Sequence, residues 1–195
     1  MRFLQILDRK SIETNLSVNV AALWVFYFGL AMFAYRVINA MINQVRLPTM
    51  IRDISLHPDA QIWEMWRKEF IKYCLLTFFV MSFVVLLGYF YVKTVRIEYF
   101  GTYFQDMASP AIVVVLFTVM NLSGMYHTAK GNLKFLAAGQ YQAIFIFGFL
   151  MLLISSNYSV ARLAFSLCCT YSWLTFRNLN KMINEKNLFV SRNSL

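Results

Sequence analysis

Stretches of about twenty apolar residues, almost free of charge, recur along this chain and constrain its fold more than anything else in it. "CLLTFFVMSFVVLLGYFYV", Cys74 to Val92, is the purest of them. A run of that length matches the roughly 30 Å hydrocarbon core of a bilayer. Inside such a core every backbone polar group must be bonded internally, so the segments must be helices. We read five spans: 18–45, 71–92, 107–127, 135–154 and 158–176. The expected fold is therefore an all-α integral membrane protein with about five transmembrane helices. The first span, 28 residues long, would make about 42 Å of helix, so it must tilt or project. The third opens at Pro110, read as a first-turn proline. The fourth and fifth are separated by "SSN", as in a tight helical hairpin. Residues 177–195 read as a basic tail.

Charge sets the expected orientation. The chain carries eighteen Lys and Arg against nine Asp and Glu. In a multi-pass protein such an excess marks loops facing the cytoplasm rather than nucleic acid. Five spans put the termini on opposite sides. One side holds six of the basic residues, including Arg2, Arg9, Lys93 and Arg162. The other holds eleven, including Arg46, Arg67, Lys130, Arg177 and Lys186, with Arg36 left inside a span. The richer side is expected to be cytoplasmic, which places the N-terminus outside. Tyr89 to Tyr91 and Tyr99 to Phe104 read as an outer aromatic belt. "DAQIWEMWRKEF", Asp59 to Phe70, reads as a helix lying in the cytoplasmic surface, the alternative being an extension of the second span.

Catalytic signatures are not visible: there is no zinc-ligand pair, glycine-rich phosphate loop or nucleophile elbow. No metal site, cofactor or enzyme activity is expected. His57 and His127 read as interfacial polar residues. Cys74, Cys168 and Cys169 fall inside apolar runs and read as packing residues. Asn15-Leu16-Ser17 and Asn157-Tyr158-Ser159 match the short glycosylation pattern. No Asp or Glu lies within any span, so an intramembrane carboxylate relay is not expected. The intramembrane polar residues are instead Arg36, Asn39 and Asn43 on the first span, Gln140 and Gln142 on the fourth, and Arg162 on the fifth. Arg36, Asn39 and Asn43, spaced i, i+3, i+7, share one helix face. Arg36 lies ten residues before Arg46, about 15 Å deep, which is a long reach for snorkelling. These six residues are the candidate lining of a water-filled cavity.

The order of features, from "LDRKSIETNLSVNVAALWVFYFGLAMFAYRVINAMINQVRLPTMIRD" onward, resembles the polysaccharide transporter family, the O-antigen (Wzx-type) flippases of the MATE-like superfamily. The residues that carry the likeness are Asp8-Arg9, Trp24 to Tyr27, Pro48 at the cytoplasmic exit, Phe100-Gly101 with Phe104, and the basic loop "AKGNLKF". The resemblance covers nearly the whole chain. It implies the C-terminal lobe of a twelve-span, two-lobed flippase in a bacterial inner membrane, with seven spans lacking and a partner chain expected to supply them. It also implies a lipid-linked oligosaccharide on an isoprenyl pyrophosphate as substrate. Arginine pairs phosphate bidentately, so Arg36 and then Arg162 would be the first cavity contacts. Asn39, Asn43, Gln140 and Gln142 would be polar lining. The rival expectation is a small multi-pass assembly factor or subunit without transport activity; an integral-membrane enzyme is a third.

Overall fold

The structure, a computed structural model, describes residues 18–56, 59–95, 102–154 and 159–193. Among them there are six α-helices and no strand: α1 (Val18–Met41), α2 (Leu47–Leu56), α3 (Asp59–Val95), α4 (Tyr103–Ala129), α5 (Leu133–Ile154) and α6 (Val160–Asn193). A π-helical turn, Ile42–Arg46, joins α1 to α2. Four stretches are long and apolar enough to cross a membrane: Ala22–Ile54, Gln61–Val95, Tyr103–Ala129 and Leu133–Leu153. The protein is thus all-helical and of membrane-spanning character. Asp8-Arg9, Phe100-Gly101, His57, Asn15-Leu16-Ser17, Asn157-Tyr158 and the 155–157 turn lie outside the described residues.

Helix α4 is the axis of the bundle. Half of its membrane-length window is buried, against 17% for α5, and it packs on α1, α3, α5 and α6. Three apolar clusters surround it. One joins Trp24 of α1 to Phe117 of α4, Phe147 of α5 and Leu167 of α6. A second joins Ile38, Met50, Trp66, Tyr126 and Met182. The third joins Ala31 and Ala34 to Met81, Val84, Tyr103 and Val114. Large apolar side chains also face outward along the helices: Phe79 is 67% exposed, Phe145 79% and Leu152 75%. A water-soluble bundle would place polar side chains there.

Several local expectations change. Pro48 does not end the first helix. Lacking an N–H, and with its ring pressing on the carbonyl four residues back, it cannot continue an α-helical ladder. The helix widens instead, so that the Leu47 N–H bonds the Ile42 carbonyl, and it then resumes as α2. The Thr49 hydroxyl donates to the Arg46 carbonyl at 2.8 Å, covering one of the groups that such a disturbance leaves open. Pro110 is not in a first turn. Helix α4 begins seven residues earlier, where Tyr103 is fully buried and donates its hydroxyl to the Val85 carbonyl at 2.7 Å.

The surface helix expected over Asp59 to Phe70 is the first part of the unbroken α3. No helix breaker separates it from the span that follows, and Ile62 and Trp66 are buried in the second cluster rather than turned to a membrane surface. The aromatic residues expected as a belt are divided: Tyr103 is buried against Tyr27, while Phe90 and Phe104 face outward. The tail from Arg177 onward is the second half of α6, with Asn178 and Met182 buried.

Candidate functional site

A cavity of about 200 Å³ lies between α1, α4, α5 and α6. Its floor is the second half of α4, where Thr118, Asn121, Gly124 and Thr128 recur every three or four residues and so share a face. Helix α1 supplies Tyr35 and Asn39, and the π turn supplies Asn43, from one side. Helices α5 and α6 supply Gln140, Leu174, Arg177 and Asn178 from the other. No Asp or Glu is among the lining residues.

Most of these polar groups are tied down. The Asn43 Nδ2 donates to Asn39 Oδ1 at 2.8 Å, one turn away. The Asn121 Nδ2 donates to the Phe117 carbonyl at 2.8 Å, and the Thr118 hydroxyl to the Val114 carbonyl at 2.8 Å. Such bonds to the preceding turn keep amides and hydroxyls satisfied within an apolar helix. The Asn121 and Asn43 side-chain oxygens remain as acceptors on residues that line the space.

Across the α4–α6 contact runs a buried chain of hydrogen bonds. The Asn178 Nδ2 donates to Ser123 Oγ at 3.0 Å, and Ser123 Oγ donates to the Met120 carbonyl at 2.7 Å. The Asn178 carbonyl accepts from His127 Nε2 at 3.0 Å. A carbonyl cannot donate, so Nε2 carries the proton. The other ring nitrogen is buried without a hydrogen-bond partner among the described residues. His127 is fully buried, because α6 continues past the expected span and covers it.

Arg177 is the cavity's cation. Its guanidinium lies 3.7 Å from the Phe135 ring centroid, and one of its nitrogens donates to the Phe135 carbonyl at 2.9 Å. It crosses α5 at Gly139, where a Cβ would collide with its terminal nitrogen. The aromatic face and one carbonyl use part of its donor set, leaving N–H groups for a ligand.

The six sequence candidates therefore divide. Asn39, Asn43 and Gln140 come together around the cavity. Arg36, Gln142 and Arg162 do not line it, and all three are exposed. The Arg36–Asn39–Asn43 stripe does lie along one side of α1, but the buried line of that helix is Trp24, Tyr27, Ala31, Ala34, Ile38 and Ile42. At about 100° per residue, Arg36 points some 160° away from Ile38. Arg162 sits in the first turn of α6, its backbone N–H donating to Ser159 Oγ at 3.3 Å. The residues that sequence reading missed are Thr118, Asn121, Arg177 and Asn178. The available signal for the last two was periodic: Leu174, Asn178 and Met182 continue the buried spacing of α6 beyond residue 176.

The cavity is smaller than the roughly 300–1,000 Å³ of pockets that enclose a whole small molecule. It suits one phosphate or one sugar ring, held by amide groups and one guanidinium. Cys74, Cys168 and Cys169 are free and partly buried, and no group of three or more His, Cys, Asp or Glu that could hold a metal occurs among the described residues. Comparison with protein-family models, curated proteins and solved structures gave no match.

Proposed function

We propose that this chain is a membrane-embedded, flippase-like binding unit. Its ligand is the anionic headgroup of a lipid-linked oligosaccharide carried on an isoprenyl pyrophosphate. The supporting observation is the polar cavity: amides from α1, α4, α5 and α6 converge with Arg177, and no carboxylate lines the space. An acid-free cationic cavity inside a helical bundle favours an anion over a metal ion or an ammonium group. The role that the resemblance gave to Arg36 and Arg162 passes to Arg177.

In this reading α6 is a fifth span. Its hydroxyl groups lower its apolarity but are bonded to the preceding turn, as with Ser166 to the Arg162 carbonyl and Thr170 to the Ser166 carbonyl, which makes them compatible with a bilayer. The charge bias favours a cytoplasmic C-terminus with the cavity in the cytoplasmic half, and the resemblance implies a bacterial inner membrane. The unit does no chemistry of its own; it holds the headgroup while a partner lobe moves.

The test is binding of a short-chain isoprenyl pyrophosphate to the purified chain in detergent, read by native mass spectrometry. Losing a charged hydrogen bond is worth about 1.5–3 kcal/mol, so Arg177→Gln should weaken binding by about tenfold or more. The isoprenyl alcohol should not compete. Equal binding by the variant, or by the alcohol, would exclude the headgroup reading. The second reading, an assembly factor or subunit without transport, is favoured by the small volume, which holds a single ring but not an oligosaccharide. It expects no pyrophosphate-dependent binding at all.

A further inference from the structure

The outward face of α1 carries a charge that no described residue answers. Arg36 is exposed and makes no hydrogen bond, ion pair or ring contact among the described residues. Toward the N-terminus that face is apolar or small, with Val25, Gly29 and Phe33 exposed; toward the C-terminus it carries exposed Ala40 and then the amides Asn39 and Asn43 of the cavity edge. Its depth follows from its neighbours. Ala34 shares an apolar cluster with Met81 and Val84 of α3, and Ile38 shares one with Tyr73. Arg36, between them, lies level with the charge-free stretch of α3 from Tyr73 to Val92. A guanidinium at that depth, facing hydrocarbon, is strongly unfavourable and calls for an acidic partner.

Among the described residues none supplies one: the carboxylates there are Asp53, Asp59, Glu64, Glu69, Asp106 and Glu185, and none falls in the apolar middle of a helix. A second copy docked symmetrically through this face would bring Arg36 against Arg36, a like-charge contact that disfavours association. The face is also shaped for close approach. Gly29 lies two turns before Arg36 on the same side, and a Cβ there would meet nothing within 4 Å. A glycine inside a helix weakens it, and nothing within this chain requires the missing side chain. Small residues flanking a polar one are what allow two membrane helices to pack backbone to backbone.

We infer that the outward face of α1, centred on Arg36, docks a transmembrane helix of a different polypeptide that carries an aspartate or glutamate at the depth of Arg36. The inference is independent of what fills the cavity and rests only on α1 crossing a membrane.

The test uses the full chain in carbonate-washed membranes of its native host. A photo-crosslinking phenylalanine replaces Phe33, beside Arg36, and in a separate variant Phe83, which faces outward on α3. The expected result is an adduct specific to position 33 whose crosslinked peptide comes from an apolar helix of another protein and contains an Asp or Glu. Arg36→Glu should lower its yield by about tenfold or more, as loss of a close interfacial charge pair does, and reversing the partner's acid to Arg should restore it. Arg36→Leu, which remains compatible with insertion, should lose the adduct at unchanged membrane abundance. An adduct joining two copies of this chain, a lipid-only adduct, a partner peptide lacking an acid, or no excess at position 33 over position 83 would each overturn the inference. So would a yield that ignores both Arg36 substitutions.

Discussion

Replacing Gly139 with alanine should change the sign of its effect according to what stands at position 177. The added methyl group collides with the terminal nitrogen of Arg177, and it would lie 3.1 Å from the guanidinium carbon and 3.4 Å from a Leu174 methyl. The Leu174 contact is close to ordinary packing. The guanidinium, at the end of a flexible side chain, swings away. That forfeits the 2.9 Å bond to the Phe135 carbonyl and the 3.7 Å stacking on the Phe135 ring. A hydrogen bond from a charged donor contributes about 1.5–3 kcal/mol, and an exposed cation–π contact about 0.5–1 kcal/mol. Arg177 is only half-buried, so the low end applies, about 2 kcal/mol together. Against this, alanine favours a helix over glycine by about 0.8–1 kcal/mol. Gly139→Ala alone should therefore cost about 1 kcal/mol. In an Arg177→Ala background only the propensity remains, and the same substitution should stabilise by about 1 kcal/mol. The difference, a coupling of about 2 kcal/mol, exceeds the usual scatter of additive pairs. Unfolding by dodecyl sulfate in mixed micelles, followed through the chain's four tryptophans, reads all four corners of the cycle. Equal effects of Gly139→Ala in both backgrounds would refute the seating of Arg177 against α5.

Two further outcomes test the packing around α4. Ser123→Ala removes the acceptor of the buried Asn178 amide and should cost about 1–3 kcal/mol for the stranded donor; a loss under 0.5 kcal/mol in the same micelle titration would mean the amide bonds elsewhere. Gly88→Ala collides with the Tyr103 hydroxyl and the Leu30 side chain and should cost about 1–3 kcal/mol of overpacking, but distinctly less in a Tyr103→Phe background, where the colliding oxygen is gone; an unchanged cost would place the obstruction at Leu30 alone.

The parts of the fold readable in the sequence are those in which one helix reports on itself. A charge-free run such as Cys74 to Val92 announces its own environment, and the Asn39–Asn43 bond follows from their spacing by four. What a single helix cannot report is which of its faces meets the others. The stripe through Arg36 has the right periodicity, yet periodicity is unchanged by rotating the helix about its axis. The orientation is decided by Ala31, Ala34 and Ile38 fitting against α3 and α4, a fact of packing. Arg177 was hidden for a different reason. Charge bias marks a basic residue after an apolar run as the start of a tail, and only the contacts of Asn178 and Met182 with α4 and its neighbours keep α6 helical and packed beyond that point.

The π turn at Ile42–Arg46 bears on how this helix tolerates changes of length. Buried or half-buried positions recur at 38, 42, 46, 50 and 54, a strict repeat of four. In a 3.6-residue helix such a repeat drifts by about 40° at each step, and would carry Met50 off the core within three steps. The wide turn takes up the surplus, acting as a dislocation that re-phases α2 to the bundle without disturbing α1. Removing one residue from it would anneal the dislocation into ordinary helix. Eleven residues would then separate Ile38 from Met50, about three turns, so Met50, the Arg46–Glu69 pair, 3.4 Å apart, and the cluster around Trp24 should all keep their register.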